Sequence, residues 1–146
     1  MTQICMEIAI QEANSPHLQK EQKSSSTHVD APKLKVLVCG GRDFNKPSLL
    51  RNYLDYYHAK WIIDVVIQGG ATGADYVAKV WAEDNNVINE EYPANWTKYD
   101  RAAGHIRNKQ MLDEGHPSVV IATVGGVGTA NMIKQAKQRG IKVIHI

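Results

Sequence analysis

The chain has 146 residues, which is enough for one domain of ordinary size and too few for two separate cores. Hydrophobic residues make up 43% of it and charged residues 22%, close to the globular average, which excludes fibrous, collagen-like and wholly disordered chains. Seventeen Lys and Arg against fifteen Asp and Glu give a net charge of +2, which is too small to indicate a nucleic-acid surface by itself.

No stretch of the sequence predicts a membrane span or a disulfide. Apolar runs such as residues 119–124 fall far short of the roughly 20 residues that cross a bilayer. Residues 4–10 are interrupted by Glu7 and follow no basic residues, so we expect no signal peptide and a cytoplasmic protein. Of the two cysteines, Cys5 lies in a predicted tail and Cys39 ends an apolar strand, so we expect Cys39 to be a small core residue.

The first segment, residues 1–32, is predicted to be a disordered tail. Residues 14–32 hold three successive serines, two prolines, several Gln and Lys, and only two aliphatic side chains besides alanine. Such a composition cannot bury a core. We therefore expect a single domain over residues 33–146.

From Lys35 onward, short runs rich in Val and Ile alternate with segments of helical periodicity. The predicted strands are residues 36–39, 64–67, 87–91, 119–123 and 142–145. The predicted helices lie around residues 49–57 and 74–82 and over residues 106–114 and 129–139, the last closed by Gly140. This alternation predicts an α/β fold, a Rossmann-like open parallel sheet of about five strands in the order 3-2-1-4-5, with helices on both faces.

Glycine-rich loops follow three of the predicted strands. They are Gly40-Gly41-Arg42-Asp43-Phe44, Gly69-Gly70-Ala71-Thr72-Gly73-Ala74-Asp75 and Gly125-Gly126-Val127-Gly128-Thr129. We expect them to converge in the crevice between the first and fourth strands, where the strand order reverses. Glycine lets backbone N–H groups approach a ligand, and the helix N-termini that follow favour phosphate. One such loop is equally well explained as a short connection, but three predict a pocket for a nucleotide-like ligand.

The best-known nucleotide motifs are absent. Neither G-x-G-x-x-G after the first strand nor G-x-x-x-x-G-K-[ST] occurs, which disfavours ordinary dehydrogenase and NTPase activity. Instead, the three loops, together with Trp96 and the run Ala103-Gly104-His105-Ile106-Arg107-Asn108, resemble the SLOG superfamily, most closely its YspA-like branch. The resemblance covers about residues 34–146. It implies binding of nucleotides or their derivatives, in a superfamily that includes hydrolases, sensors of signalling nucleotides and a single-strand DNA binder.

One position departs from the hydrolases of this superfamily. LOG-type phosphoribohydrolases carry P-G-G-x-G-T-x-x-E at the last loop, and its Glu is the expected catalytic acid. Here Thr123-Val124 stands in place of the residues that usually lead into the two glycines, and Met132 replaces that Glu. Because a thioether can neither donate nor accept the required proton, the sequence argues against LOG-like hydrolysis.

Three function hypotheses follow. The first is a module that binds or senses a small nucleotide-derived ligand. The second is an N-glycosidic or phosphoester hydrolase in which Asp43, Asp75 or a substrate group supplies the acid/base. Single-strand DNA binding is the third, and the sequence does not favour it because it has no basic stripe and few aromatic residues.

Several polar residues have two interpretations. Arg42 suits phosphate oxygens, or forms a surface ion pair. Arg107 and Asn108 are predicted to open the third helix and contact phosphate or ribose, or to make a cap and a salt bridge. Thr129 offers a hydroxyl and an N–H to phosphate, or is an ordinary helix-start residue.

The candidate acids and the aromatic residues are ambiguous in the same way. Asp75 binds ribose hydroxyls or acts as an acid, or only stabilises a helix dipole; Asp43 does the same, or only bonds within its turn. Trp96, Tyr99 and residues 100–104 form a predicted long connection that stacks on a base, or packs as a lid on the core.

The predicted ligand-binding set gathers these positions. Its members are Gly40, Gly41, Arg42, Asp43, Gly69, Gly70, Thr72, Gly73, Asp75, Gly104, Arg107, Asn108, Gly125, Gly126, Gly128 and Thr129. We predict no metal, because His58, His105, His116 and His145 lack ligand spacing, and no cofactor. The resemblance also implies a homodimer.

Overall fold

The sheet of the domain has five strands, all parallel. The computed structural model describes residues 34–146, so the tail predicted over residues 1–32 lies outside the described residues. The strands are β1 (Leu34–Cys39), β2 (Ile63–Gln68), β3 (Ile88–Glu91), β4 (Val119–Ala122) and β5 (Lys142–His145). They pair in the order β3-β2-β1-β4-β5, which confirms the predicted Rossmann-like α/β topology.

Five helices connect these strands. They are α1 (Pro47–Trp61), α2 (Ala74–Asp84), α3 (Trp96–Tyr99), α4 (Ala103–Gly115) and α5 (Val127–Gln138), with a 3-10 turn at Asp100–Ala102 between α3 and α4. None of the helices within residues 34–146 is long and apolar enough to cross a membrane.

Helix boundaries differ from the sequence prediction at two places. The connection predicted around Trp96 contains α3 and the 3-10 turn, and α4 begins at Ala103 rather than at residue 106. Arg107 therefore lies inside α4 and does not open it. Similarly, α5 begins at Val127, so Thr129 is its third residue and not its first. Glycine and exposed residues at these starts conceal the helical period in the sequence.

The sheet separates two hydrophobic cores because side chains alternate along a strand. In β1, Val36 and Val38 point to the face covered by α1 and α2, whereas Leu37 and Cys39 point to the face covered by α4 and α5. Cys39 is buried, as predicted for a small core residue. Helices on both faces leave only the strand ends open, so the carboxyl edge is where the loops meet.

Candidate functional site

A cleft of about 1100 Å³ lies at the carboxyl edge of the sheet. Residues that follow all five strands line it, with the switch between β1 and β4 at its centre. Nearly all of the predicted ligand-binding set lies on its wall, namely Gly40, Gly41, Arg42, Asp43, Gly69, Gly70, Thr72, Asp75, Gly104, Arg107, Asn108, Gly125, Gly126, Gly128 and Thr129. Gly73 does not line it.

Gly73 instead holds the first two glycine loops together. Its φ is +75°, and a Cβ there would collide with the backbone oxygen of Gly41. The same Gly41 oxygen accepts a hydrogen bond from the N–H of Ala74 at 3.4 Å, and the Thr72 hydroxyl donates to the backbone oxygen of Arg42 at 3.2 Å. Gly73 therefore allows the two loops to pack in contact.

The first loop is fastened to the third in a similar way. The N–H of Gly41 donates to the backbone oxygen of Val124 at 2.9 Å. A Cβ on Gly125 would lie 2.8 Å from the nitrogen of Gly41. The three loops thus form one connected wall around the cleft.

The N–H groups of the second loop are already used inside the protein. One carboxylate oxygen of Asp75 accepts from the N–H groups of Gly69 and Ala71, both at 3.2 Å. The side-chain oxygen of Gln68 accepts from the N–H of Gly70 at 2.6 Å. Three successive donors predicted to face a ligand are therefore satisfied by neighbouring side chains.

Gln68, which the sequence interpretation missed, supports the second loop from the end of β2. It is fully buried at the end of β2, and its amide nitrogen donates to Asn89 and Glu91 on β3. A buried glutamine must satisfy its amide. The one sequence feature that marks it is a polar residue at the end of the apolar run Ile63–Gln68.

The third loop has the opposite character. The N–H groups of residues 125–129 have no acceptor within residues 34–146, and no side chain caps α5. Thr129 is only 8% exposed, yet it lines the cleft and its hydroxyl has no partner in the described part of the chain. Unpaired N–H groups and the positive end of the α5 dipole make this loop suitable for an anion.

Arg107 is half-buried and bound to protein oxygens. Its guanidinium donates to the backbone oxygens of Gly69 at 2.7 Å and Tyr92 at 3.4 Å, and to the side chain of Asn108 at 3.1 Å. Asn108 in turn donates to the backbone oxygen of Gly128 and to Asn131. Arg107 and Asn108, which the sequence predicted either to bind ligand or to make a cap and a salt bridge, thus link the ends of β2 and β3 to the start of α5.

Burial sets the electrostatics of the cleft floor. It raises the pKa of Asp75, although two N–H donors and the nearby Arg107 act against the rise. It also lowers the pKa of Arg107, against the attraction of Asp75. Burial, reinforced by Asp75, raises the pKa of the Cys39 thiol to about 12. Since a thiolate is the nucleophilic form of cysteine, this burial disfavours a nucleophilic role for Cys39.

Arg42 and Trp96 stand at the open side of the cleft. The guanidinium carbon of Arg42 lies 5.9 Å from the centre of the Trp96 ring, and both side chains are exposed. No carboxylate pairs with Arg42 within residues 34–146. Tyr99, grouped with Trp96 from the sequence, does not line the cleft.

Met132 lies away from the cleft wall. It is fully buried on the α4 and α5 side of the sheet, in the cluster that contains Leu37, Met111 and Ala136. The side chain that replaces the LOG glutamate is therefore a core residue. Within residues 34–146, no three His, Cys, Asp or Glu side chains are grouped in a way that could hold a metal ion.

Comparison with known proteins agrees with this architecture. The model of the YspA, cpYpsA-related SLOG family, YAcAr, matches residues 34–99. A relative from Mycobacterium phage D29, named Gene 61 protein, is 33% identical over 118 residues, which cover 76% of this chain and 94% of the relative. No solved structure matches the chain closely enough to count as a relative. The chain, with its Rossmann-like sheet and its cleft lined by glycine loops, thus belongs to the YspA, cpYpsA-related SLOG family.

Proposed function

We propose that the cleft binds a small nucleotide-derived ligand and that the phosphate of this ligand sits on the third glycine loop. The observation that carries the proposal is the run of N–H groups at residues 125–129, which have no acceptor in the described part of the chain. A helix N-terminus with unpaired donors is a common phosphate site in proteins. The buried hydroxyl of Thr129 adds a side-chain donor at the same place.

The charged side chains on the cleft wall favour binding of one anionic group of the ligand. The basic residues on the wall are Arg42, Lys46 and Arg107 and the acidic ones are Asp43 and Asp75, a small excess of positive charge. Arg107 is committed to backbone oxygens, whereas Arg42 has no ion-pair partner within residues 34–146. Arg42 is therefore the guanidinium that is free to reach a phosphate.

Thermal unfolding tests the phosphate requirement. We expect at least one nucleoside 5′-monophosphate to raise the melting temperature, since a ligand at 100 times its Kd stabilises the native state by about 2.7 kcal/mol. The matching nucleoside, which lacks the phosphate, should raise it much less. Equal shifts from both, or none from any monophosphate, would contradict the proposal.

Gly128→Ala tests whether the phosphate lies on the third loop. A Cβ at Gly128 meets no protein atom within 4 Å, so the variant should fold and melt like the parent. Because Gly128 lines the cleft, the added methyl should crowd the bound phosphate and reduce the ligand-induced shift. An unchanged shift would place the phosphate elsewhere.

A hydrolase is the second candidate, and the position of Asp75 favours it. Asp75 is buried, lines the cleft and has a pKa raised by burial, as is usual for a catalytic acid. Asp43, the other candidate, is exposed in the turn after β1. Release of free base or ribose 5-phosphate from nucleoside monophosphates, lost in Asp75→Asn, would support this function. No product with any nucleoside phosphate would exclude it for these substrates.

We also propose that the protein is cytoplasmic, as expected from the sequence, and that it forms a homodimer, as expected from the family resemblance. Val124, just before the third loop, is 82% exposed and Val127, within it, is 77% exposed; Ile106 is exposed on α4. A dimer that buries these side chains together would remove their apolar surface from water. Light scattering that gives twice the mass of one chain is the expected result, and a monomer would refute it.

A further inference from the structure

Trp96 presents an exposed aromatic face to the cleft. Its side chain is 49% exposed although it is large and apolar. The indole lies over Gly104 at the start of α4, where a Cβ would come within 3.5 Å of its Cη2 atom. Pro93 and Ala94 line the cleft beside it. Pro93, Ala94 and Trp96 give this part of the wall an apolar surface.

Arg42 covers the exposed indole. Its guanidinium carbon, 5.9 Å from the ring centre, is within the range of a cation–π contact. Such a contact between exposed groups is weak, and the Arg42 side chain has no other charged partner within residues 34–146. A planar group with its own π-system can therefore replace the guanidinium on this face.

We infer that Trp96 determines specificity by stacking on a planar heteroaromatic ring of the ligand, an inference that rests on the proposed function. The ring displaces Arg42 from the indole toward the ligand's phosphate. The ligand class is a heteroaromatic base joined through a sugar to a phosphate. One end stacks on Trp96 and the other lies on residues 125–129. Bases stack in this way on aromatic side chains of many nucleic-acid-binding proteins.

Tyr99 is the natural control for Trp96. Both aromatic residues lie on the short helix α3, and Tyr99 is 37% exposed. Tyr99 does not line the cleft, and Lys98 lies over its ring at 5.1 Å. A general effect of removing an exposed aromatic residue from α3 would therefore appear after substitution of either Trp96 or Tyr99. Loss of the stacking surface for the ligand's ring would appear only after substitution of Trp96.

The experiment measures Kd by calorimetry for AMP, GMP, CMP, UMP and ribose 5-phosphate. We expect at least one monophosphate to bind about tenfold or more tightly than ribose 5-phosphate, since stacking of one base is worth such a factor. Trp96→Leu should remove this preference and leave the Kd of ribose 5-phosphate unchanged. Trp96→Phe should restore part of the preference, and Tyr99→Leu should keep all of it.

Several outcomes would overturn the inference. These are equal affinity for ribose 5-phosphate and every monophosphate, a preference that survives Trp96→Leu, or an equal loss for all probes in that variant. Binding of ribose 5-phosphate without a ring preference would leave the proposed function standing. If no probe binds to the parent protein, the proposed function is wrong, and so is the inference that Trp96 stacks on the ligand's ring.

Discussion

Two arginines lie at the cleft and are held in different ways. Arg107 donates to two backbone oxygens and one side chain, whereas Arg42 contacts only the face of Trp96 among the charged and aromatic groups of residues 34–146. Sequence alone gives both a similar interpretation, because Arg42 follows Gly41 directly and Arg107 lies three residues after Gly104. The difference arises from which oxygens lie within reach once the chain has folded.

Replacing each arginine should therefore separate stability from binding. Arg42→Ala should leave the melting temperature of the free protein unchanged and weaken a phosphate-bearing ligand roughly tenfold or more, as for loss of a charge-assisted hydrogen bond. Arg107→Met should lower the free energy of unfolding by about 1 to 3 kcal/mol, because buried carbonyl oxygens lose their donor. Urea unfolding and calorimetry measure the two effects. The opposite pattern would assign the ligand to Arg107.

Asp75 carries a pH-dependent contribution to stability. Because burial raises its native pKa above the unfolded value, the native state binds the proton more tightly, and stability falls as pH rises through the raised pKa. Asp75→Asn keeps an oxygen for the N–H groups of Gly69 and Ala71 and does not titrate. We expect the parent to lose stability relative to the variant between acid and neutral pH in urea unfolding. A constant difference, or one of opposite sign, would show that the carboxylate is not destabilised by burial.

At the scale of elements, the glycine loops have distinct tasks. The loop after β2 is a rigid support whose donors are satisfied by Gln68 and Asp75, and the loop after β4 leaves its donors unpaired. Both loops have the same composition of glycine and threonine, so composition does not distinguish them. The neighbouring acceptors do. The carboxylate of Asp75 accepts from the N–H groups of Gly69 and Ala71, whereas the side-chain oxygen of Asn131, at the matching position after Gly125, accepts from the side chains of Asn108 and Gln135.

Alanine substitutions should reveal the structural glycines. Gly73→Ala should lower the free energy of unfolding by about 1 to 2 kcal/mol or more, because its φ of +75° is costly for alanine and its Cβ meets the oxygen of Gly41. Gly126→Ala is the matched control, since its Cβ meets nothing within 4 Å. Denaturant unfolding of both variants measures the difference. Equal stabilities would mean that the first two loops do not need to pack in contact.

For the whole molecule, the sequence predicted the sheet well and the site only in outline. Parallel strands buried on both faces are nearly continuous apolar runs, so residues such as 119–122 were recognisable, and the topology followed from right-handed crossovers. Helix α3 was missed because four residues contain too little periodicity to detect. The use of donors in the second loop was missed because it depends on the side-chain rotamers of Gln68 and Asp75.

Within residues 34–146, the loop after β4 thus offers a row of unpaired donors on the wall of the cleft. The direct test is a titration of ¹⁵N-labelled protein with a nucleoside monophosphate, which reports each backbone amide separately. We expect large shifts for the amides of Gly125, Gly126 and Gly128. Those of Gly69 and Gly70 should move little, because their donors are already satisfied. Shifts concentrated at Gly69 and Gly70, or none at residues 125–129, would contradict this expectation.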